Sequence, residues 1–307
     1  MQDTAIREHA FSWLDGMTHG GHTAITWSEI LSFNETSPSG VALALRPQGI
    51  FKPKVMAAAL SIKTKPEEKR TDRKFVYQDG APVDGIVRYK EQATNQAHND
   101  WLHRAHELKR PLVYLRGIAQ GVYRAIYPVY VVEYDSSNRE FLLDVSQKWV
   151  PGSPIDIGFT PDAVEIATKH SKRAINVREH QADFRAIVMS AYRVTCAICE
   201  LRHASLLDAA HVLADGEGGP ATVRNGLALC KIHHAAYDSD IMGISPDHRI
   251  HIRQEILEEV DGPMLRHGLQ EHEGQQLRVL PLNRKWHPDR EALAARFDKF
   301  KNGAPLG

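Results

Sequence analysis

Cysteine is scarce in this chain: three residues in 307, all between positions 196 and 230. That scarcity argues against a disulfide framework, and the clustering fits metal binding in a reducing compartment. Long apolar runs are missing too. No stretch approaches the roughly 20 residues that a membrane helix needs. The N-terminus lacks the basic-then-apolar pattern of a secretion signal, so the expected compartment is the cytoplasm, with no membrane partner. Net charge is also absent, with 38 Lys and Arg against 38 Asp and Glu. A zero sum looks wrong for a protein that handles a polyanion, but distribution matters more than the sum. Between residues 50 and 130 there are fifteen Lys or Arg against eight Asp or Glu. The acids gather elsewhere, notably at Glu255, Glu258, Glu259 and Asp261.

What is present reads as an α+β protein of more than one domain. Residues 1–45 form a helical N-terminal subdomain, with Ile6, Ala10, Phe11 and Leu14 on one helical face and a capping box at Thr26 and Glu29. A strand is expected at 41–45. The unit suits either a winged helix or a helical brace on the next domain. Residues 46–150 are strand-rich, with strands expected near 86–89, 112–115, 122–134 and 141–145 and a helix over 99–109. Pro128 interrupts the longest strand, which places it at an edge or a bulge. Several short strands suit a curved sheet or partly closed barrel. Residues 151–180, opened by the run Val150-Pro-Gly-Ser-Pro154, read as a linker. Residues 181–307 hold a helix over 181–193, the cysteine segment, a short strand pair and a closing helix over 288–300.

The chemistry concentrates in residues 196–238. Cys196 and Cys199 form one x2 knuckle, Cys230 and His233 a second, and four such ligands suit a closed tetrahedral structural zinc site. A domain this small buries little apolar area, and structural zinc contributes roughly 10–16 kcal/mol of apparent binding energy to such folds. His203 is an alternative to His233 as the fourth ligand. Between the knuckles, 206–212 reads as a strand ending near His211, 215–220 as an exposed loop, and 225–230 as a returning strand. A helix starts near His233. His234 and Asp238 are four apart on it, on one face, and can share a cation. Asp208, three residues before His211, is a further candidate ligand.

The ordered set of cysteine knuckle, DAAH, GG, NGL, LC-x2-HH and YD resembles the HNH, or ββα-metal, endonucleases, with a treble-clef-like fold over about residues 181–245. The resemblance implies that His211 is the general base that activates water. It implies that Asn225 holds the inter-strand loop and orients that histidine, and that His234 binds a single divalent ion such as Mg2+, Mn2+, Co2+ or Ni2+. An imidazole titrating near neutrality can take a proton from water, and a hard cation can neutralise developing phosphate charge. Many family members carry an acidic or histidine ligand immediately before the catalytic histidine. Here Ala210 stands there, and Asp208 or Asp238 is expected to compensate.

Residues 46–145 more loosely resemble the reader halves of modification-dependent, type IV (McrA-like) restriction endonucleases. These halves are PUA/SRA-like domains that accept a flipped modified base, or sulfur-binding domains that sense phosphorothioate. The resemblance rests on the runs 49–54, 84–89 and 117–130. Lys52, Lys54, Arg88, Arg116 and Arg124 are the candidate phosphate contacts. Tyr89, Tyr127 and Pro128 are the candidate pocket for a base or a sulfur. The expected partner is double-stranded DNA bearing a modified base or backbone. A homodimer is expected for double-strand cleavage, because one ββα-metal site cuts one strand. The competing readings are a zinc-stabilised DNA-binding protein without catalysis, and an HNH nuclease acting on unmodified nucleic acid.

Overall fold

A computed structural model describes residues 2–37, 40–66, 80–83, 85–93, 95–146 and 181–303. The linker expected over 151–180 and Asp84 of the reader motif lie outside them. The chain divides into two compact units, Met1–His180 and Gln181–Gly307.

The first unit is built on an eight-stranded sheet. Its strands are β1 (Ile25–Thr26), β2 (Ile50–Phe51), β3 (Ser61–Lys63), β4 (Gly80–Val83), β5 (Ile86–Lys90), β6 (Leu112–Ala119), β7 (Val122–Asp135) and β8 (Glu140–Asp144). They run in the order β2-β3-β6-β7-β8-β5-β4, with β1 pairing the start of β7. All pairs are antiparallel except β3 with β6. Helices α1 (Gln2–Met17) and α2 (Trp27–Thr36) pack Ile6, Phe11, Leu14, Ile30 and Phe33 against Val113, Leu115, Ala125 and Tyr127. Helix α3 (Gln96–Glu107) covers the other face with Leu102 and Ala105 against Leu112, Tyr114, Val129 and Val131. The sheet is therefore sandwiched, which explains the near-continuous burial along β6.

The capping box is present: Thr26 accepts from the Glu29 amide, and Glu29 accepts from the Thr26 amide at 2.7 Å. Helix α1 is tied down by the buried Arg7, whose Nη1 donates to the Ala59 carbonyl at 2.9 Å and whose Nε meets Asp3 at 2.7 Å. The helices are thus a brace on the sheet. The strand expected at 41–45 is not formed. Leu43 and Ala44 are buried, but the Leu43 and Leu45 carbonyls accept from Ser61 Oγ and Lys63 Nζ, side chains of β3, instead of from a ladder. Pro128 sits in a central strand at a register shift, where Leu112 faces Val129 and Tyr114 faces Ile126. The extra residue in β7 accommodates the missing N–H and brings Ile126 and Val129 to the same face.

The second unit begins with helix α4 (181–191). Two hairpins follow: β9 (Leu207–His211) with β10 (Gly226–Cys230), and β11 (Met242–Ile244) with β12 (Ile250–Ile252). Helix α5 (Lys231–Asp238) leaves β10 directly. The short helices α6 (Gln254–Glu258) and α7 (Pro263–Gly268) and the closing helix α8 (Arg290–Asn302) complete it around one core.

Candidate metal centre and active site

The strand pair and the helix after it place the chemistry. β9 and β10 pair in register from Gly226 opposite His211 to Cys230 opposite Leu207. α4 supports the pair through Phe184 and Val188, both buried. Gly226 is required by that approach, because a Cβ there would run into Val188 and Phe184. Phe184 in turn stacks on the His211 ring, with centroids 3.9 Å apart and planes 12° from parallel. A flat aromatic face fixes the imidazole plane and leaves its nitrogens at the ring edge.

Cys196, Cys199, Cys230 and His233 converge, with all four ligand atoms within 4.8 Å of one another. Cys199 Sγ lies 3.9 Å from Cys230 Sγ, and His233 Nδ1 lies 3.1 Å from Cys230 Sγ and 3.5 Å from Cys196 Sγ. Zinc–sulfur bonds of about 2.3 Å give a tetrahedral edge near 3.8 Å, so the donor set fits a divalent ion of that size. His233 Nε2 faces the Gly268 carbonyl at 2.8 Å, the outer hydrogen bond that sets a ligating ring's tautomer. Hydrogen bonds from Cys196 and Cys199 pull the Cys230 thiol down to about 3. Cys196, sharing protons with Cys199 and Cys230, is pushed up. His203, the alternative fourth ligand, is exposed and outside the cluster.

His211 and His234 are not drawn into that cluster. Among the described residues it is the one group of three or more His, Cys, Asp or Glu close enough to share an ion. Asp208, His234 and Asp238 instead form a line. Asp208 Oδ2 lies 3.7 Å from His234 Nδ1, and Asp238 Oδ2 lies 3.2 Å from His234 Nε2. The two carboxylates address opposite nitrogens of one ring. Either carboxylate could therefore join His234 at an ion, with the other left to hold the ring. Lys231 Nζ donates to Asp208 Oδ2 at 3.0 Å, and Arg185 Nε lies 4.0 Å from Oδ1. Partial burial works to raise the Asp208 pKa, but the hydrogen bond and charge of Lys231, with His234 and Arg185, outweigh it and hold the carboxyl below its usual range. Lys231 and Arg185 escape a sequence reading because both reach Asp208 from other elements.

Asn225 is 2% exposed and spends its side chain on the loop backbone. Its Nδ2 donates to the Leu213 and Pro220 carbonyls at 2.9 and 3.1 Å, and its Oδ1 accepts from the Leu213 amide at 2.9 Å. Asn225 is thus placed as a positioning residue on the loop between the strands, the role the resemblance implies for it. It clasps the 213–220 loop two residues beyond His211. Gly219 passes so close to the Leu213 carbonyl that no Cβ fits there.

In the first unit, three residues of the expected pocket prove to be core. Tyr127 is 9% exposed, stacks on Phe11 at 5.8 Å and shares a 3.1 Å hydrogen bond with Thr18 Oγ1; burial raises its phenol to about 12. Tyr89 is buried against the α3 side, and Pro128 is buried in the central strand. A base cannot stack on rings already filled by protein. Lys52 is also spent internally, donating to the Met56 carbonyl at 2.8 Å and lying over Trp101. Lys54 is exposed, Arg88 is exposed but paired with Glu140, and Arg116 and Arg124 face each other in register across β6 and β7.

With this geometry in place, comparison with known proteins is informative for one segment. Residues 196–245 match the family model described as HNH endonuclease. That segment is an HNH endonuclease domain, and the protein is a nuclease. No curated protein matches the chain. Among solved structures, a modification-dependent TagI restriction endonuclease aligns over 92% of this chain and 93% of its own, at 15% identity and a TM-score of 0.28. The type IV phosphorothioation-dependent restriction endonuclease ScoMcrA aligns over 61% of this chain and 54% of its own, at 17% identity and a TM-score of 0.19. Scores this low carry no argument about either unit. Among the described residues, no helix is long and apolar enough to cross a membrane.

Proposed function

We propose that this nuclease is a divalent-metal-dependent DNA endonuclease directed to modified DNA, with zinc in the Cys196, Cys199, Cys230 and His233 site. The observation that carries the reading is the separation of two adjacent histidines: His233 turns into the sulfur cluster, while His234 and His211 stay out of it. In this reading the His211 imidazole, braced by Phe184, takes a proton from the attacking water. His234 and one carboxylate would hold the ion, with the other carboxylate orienting the ring. The bound ion would stabilise charge on the phosphate and the leaving oxygen.

A nucleic-acid contact by the first unit is supported by the basic bias of residues 50–130, and the modified target follows from the resemblance of residues 46–145 to modification-dependent readers. Arg116 and Arg124, opposite each other across β6 and β7, stay the candidate phosphate contacts, while the buried Tyr89 and Tyr127 drop out as a base pocket. Plasmids that are plain, cytosine-methylated, hydroxymethylated or phosphorothioated, incubated with Mg2+, Mn2+, Co2+ or Ni2+, test the reading. Cleavage should favour one marked substrate and fall by roughly 10²–10⁴ in His211→Ala. Undiminished cleavage by that variant sinks the catalytic assignment. Equal cleavage of all plasmids sinks the modification dependence alone.

A second reading, a zinc-stabilised binder without catalysis, draws on the Lys231–Asp208 ion pair, which places an ammonium where a metal would approach. It predicts a single tightly held zinc and no cleavage with any ion.

A further inference from the structure

Beyond the matched segment, residues 281–303 return to the loop that Asn225 clasps. The turn Arg284–Trp286 packs against the turn Val223–Asn225, and Gly226, the next residue, pairs with His211. Two further ties hold this return in place. The Asp289 amide donates to the Arg224 carbonyl at 2.8 Å, and the Arg224 guanidinium pairs with the Asp289 carboxylate. At the other end of the loop, Lys299 of α8 pairs with Glu217. The turn itself is rigid, since Asn283 Oδ1 accepts from the Lys285 amide at 3.0 Å and the Trp286 amide donates to the Asn283 carbonyl at 2.9 Å.

What this scaffold presents is two cations and an indole side by side. Arg185, Lys231, Arg266, Arg296 and Lys299 all face carboxylates. The side chains of Arg284, Lys285 and Trp286, by contrast, make no hydrogen bond, ion pair or ring contact among the described residues. All three are exposed, Trp286 at 49%, and the neighbouring Leu282 is 83% exposed. Two unspent cations beside an exposed indole, on a braced turn at the edge of a nuclease site, have the chemistry of a nucleic-acid contact.

We propose that the turn Arg284–Trp286 is a duplex-DNA contact of the nuclease unit, in which Arg284 and Lys285 neutralise backbone phosphates flanking the scissile one and Trp286 packs on the adjoining sugars. Duplex DNA carries one negative charge per about 1.7 Å of its axis, so a strand held at His211 necessarily presents further phosphates to neighbouring elements. The inference rests on the nuclease reading, and its test is separable from that reading because it measures binding, not cutting.

The full chain carrying His211→Ala keeps a linear duplex intact, and its affinity is measured as a function of salt. Adding Arg284→Ala and Lys285→Ala together should weaken binding and reduce the slope of log affinity against log salt by about 2, close to 0.9 for each phosphate no longer neutralised. Trp286→Ala should weaken binding without changing the slope. Arg266→Ala, which removes a cation already paired with Glu271, should leave the slope as it was. An unchanged slope in the double variant, with an unchanged melting temperature, overturns the proposal. So does an equal loss in Arg266→Ala, or a Trp286→Ala variant that loses self-association in sedimentation while keeping its DNA affinity. Cleavage by the unaltered chain reports on the nuclease reading independently of these outcomes.

Discussion

His234 carries a carboxylate at each ring nitrogen, and a neutral imidazole has one lone pair to offer a metal. In the proposed reading one acid would be the ion's second ligand and the other would hold the ring. Asp208 is the better ligand on physical grounds. Its side chain is 32% exposed against 64% for Asp238, so it loses less freedom on holding an ion. Asp208→Asn should therefore raise the Mn2+ concentration needed for half-maximal cleavage by more than Asp238→Asn does. The weaker of the two effects should still fall within the roughly 10–100-fold that loss of an orienting partner costs. Metal titrations of the two variants decide the assignment, and a larger effect from Asp238→Asn reverses it.

At the scale of elements, the hairpin works because its loop cannot drift. A 213–220 loop rich in Gly has little intrinsic order, and Asn225 supplies it through three hydrogen bonds from a buried side chain. Asn225→Ala removes them and strands buried backbone groups at about 1–3 kcal/mol each. We expect lower stability in urea and a reduced cleavage rate, with the zinc content unchanged at one per chain. Loss of zinc from this variant would instead mean that Asn225 supports the sulfur cluster. The glycine at 226 has a comparable role on the other side, allowing α4 to bring Phe184 under His211.

On the scale of the whole molecule, the two units rest on different physics. The first has apolar cores on both faces of an eight-stranded sheet. In the second, Cys196 and Cys230 lie within the single core itself, so an ion bound there would be continuous with the hydrophobic centre. Removing zinc with a strong chelator should lower the melting temperature of the nuclease unit sharply and leave the transition of the first unit in place. Calorimetry of the full chain with and without chelator reads both at once. A chelator-insensitive thermogram would show that the sulfur cluster holds no structural ion.

The local signals were legible where chemistry and spacing coincide within one short segment. Two x2 knuckles, a histidine at a strand end and paired residues on α5 can be read from order alone, because each depends on neighbours a few residues away. The capping box at Thr26 and the bulge at Pro128 were legible for the same reason. The burial of Tyr89 and Tyr127 was not, since a tyrosine on a strand faces solvent or core according to which helix covers that face, and α1 and α3 cover both. Nor could the sequence reveal that Lys231 and Arg185 meet at Asp208, or that residues 284–289 fold back onto Arg224. Those pairings join residues tens of positions apart, and only the packing of the completed chain brings them together.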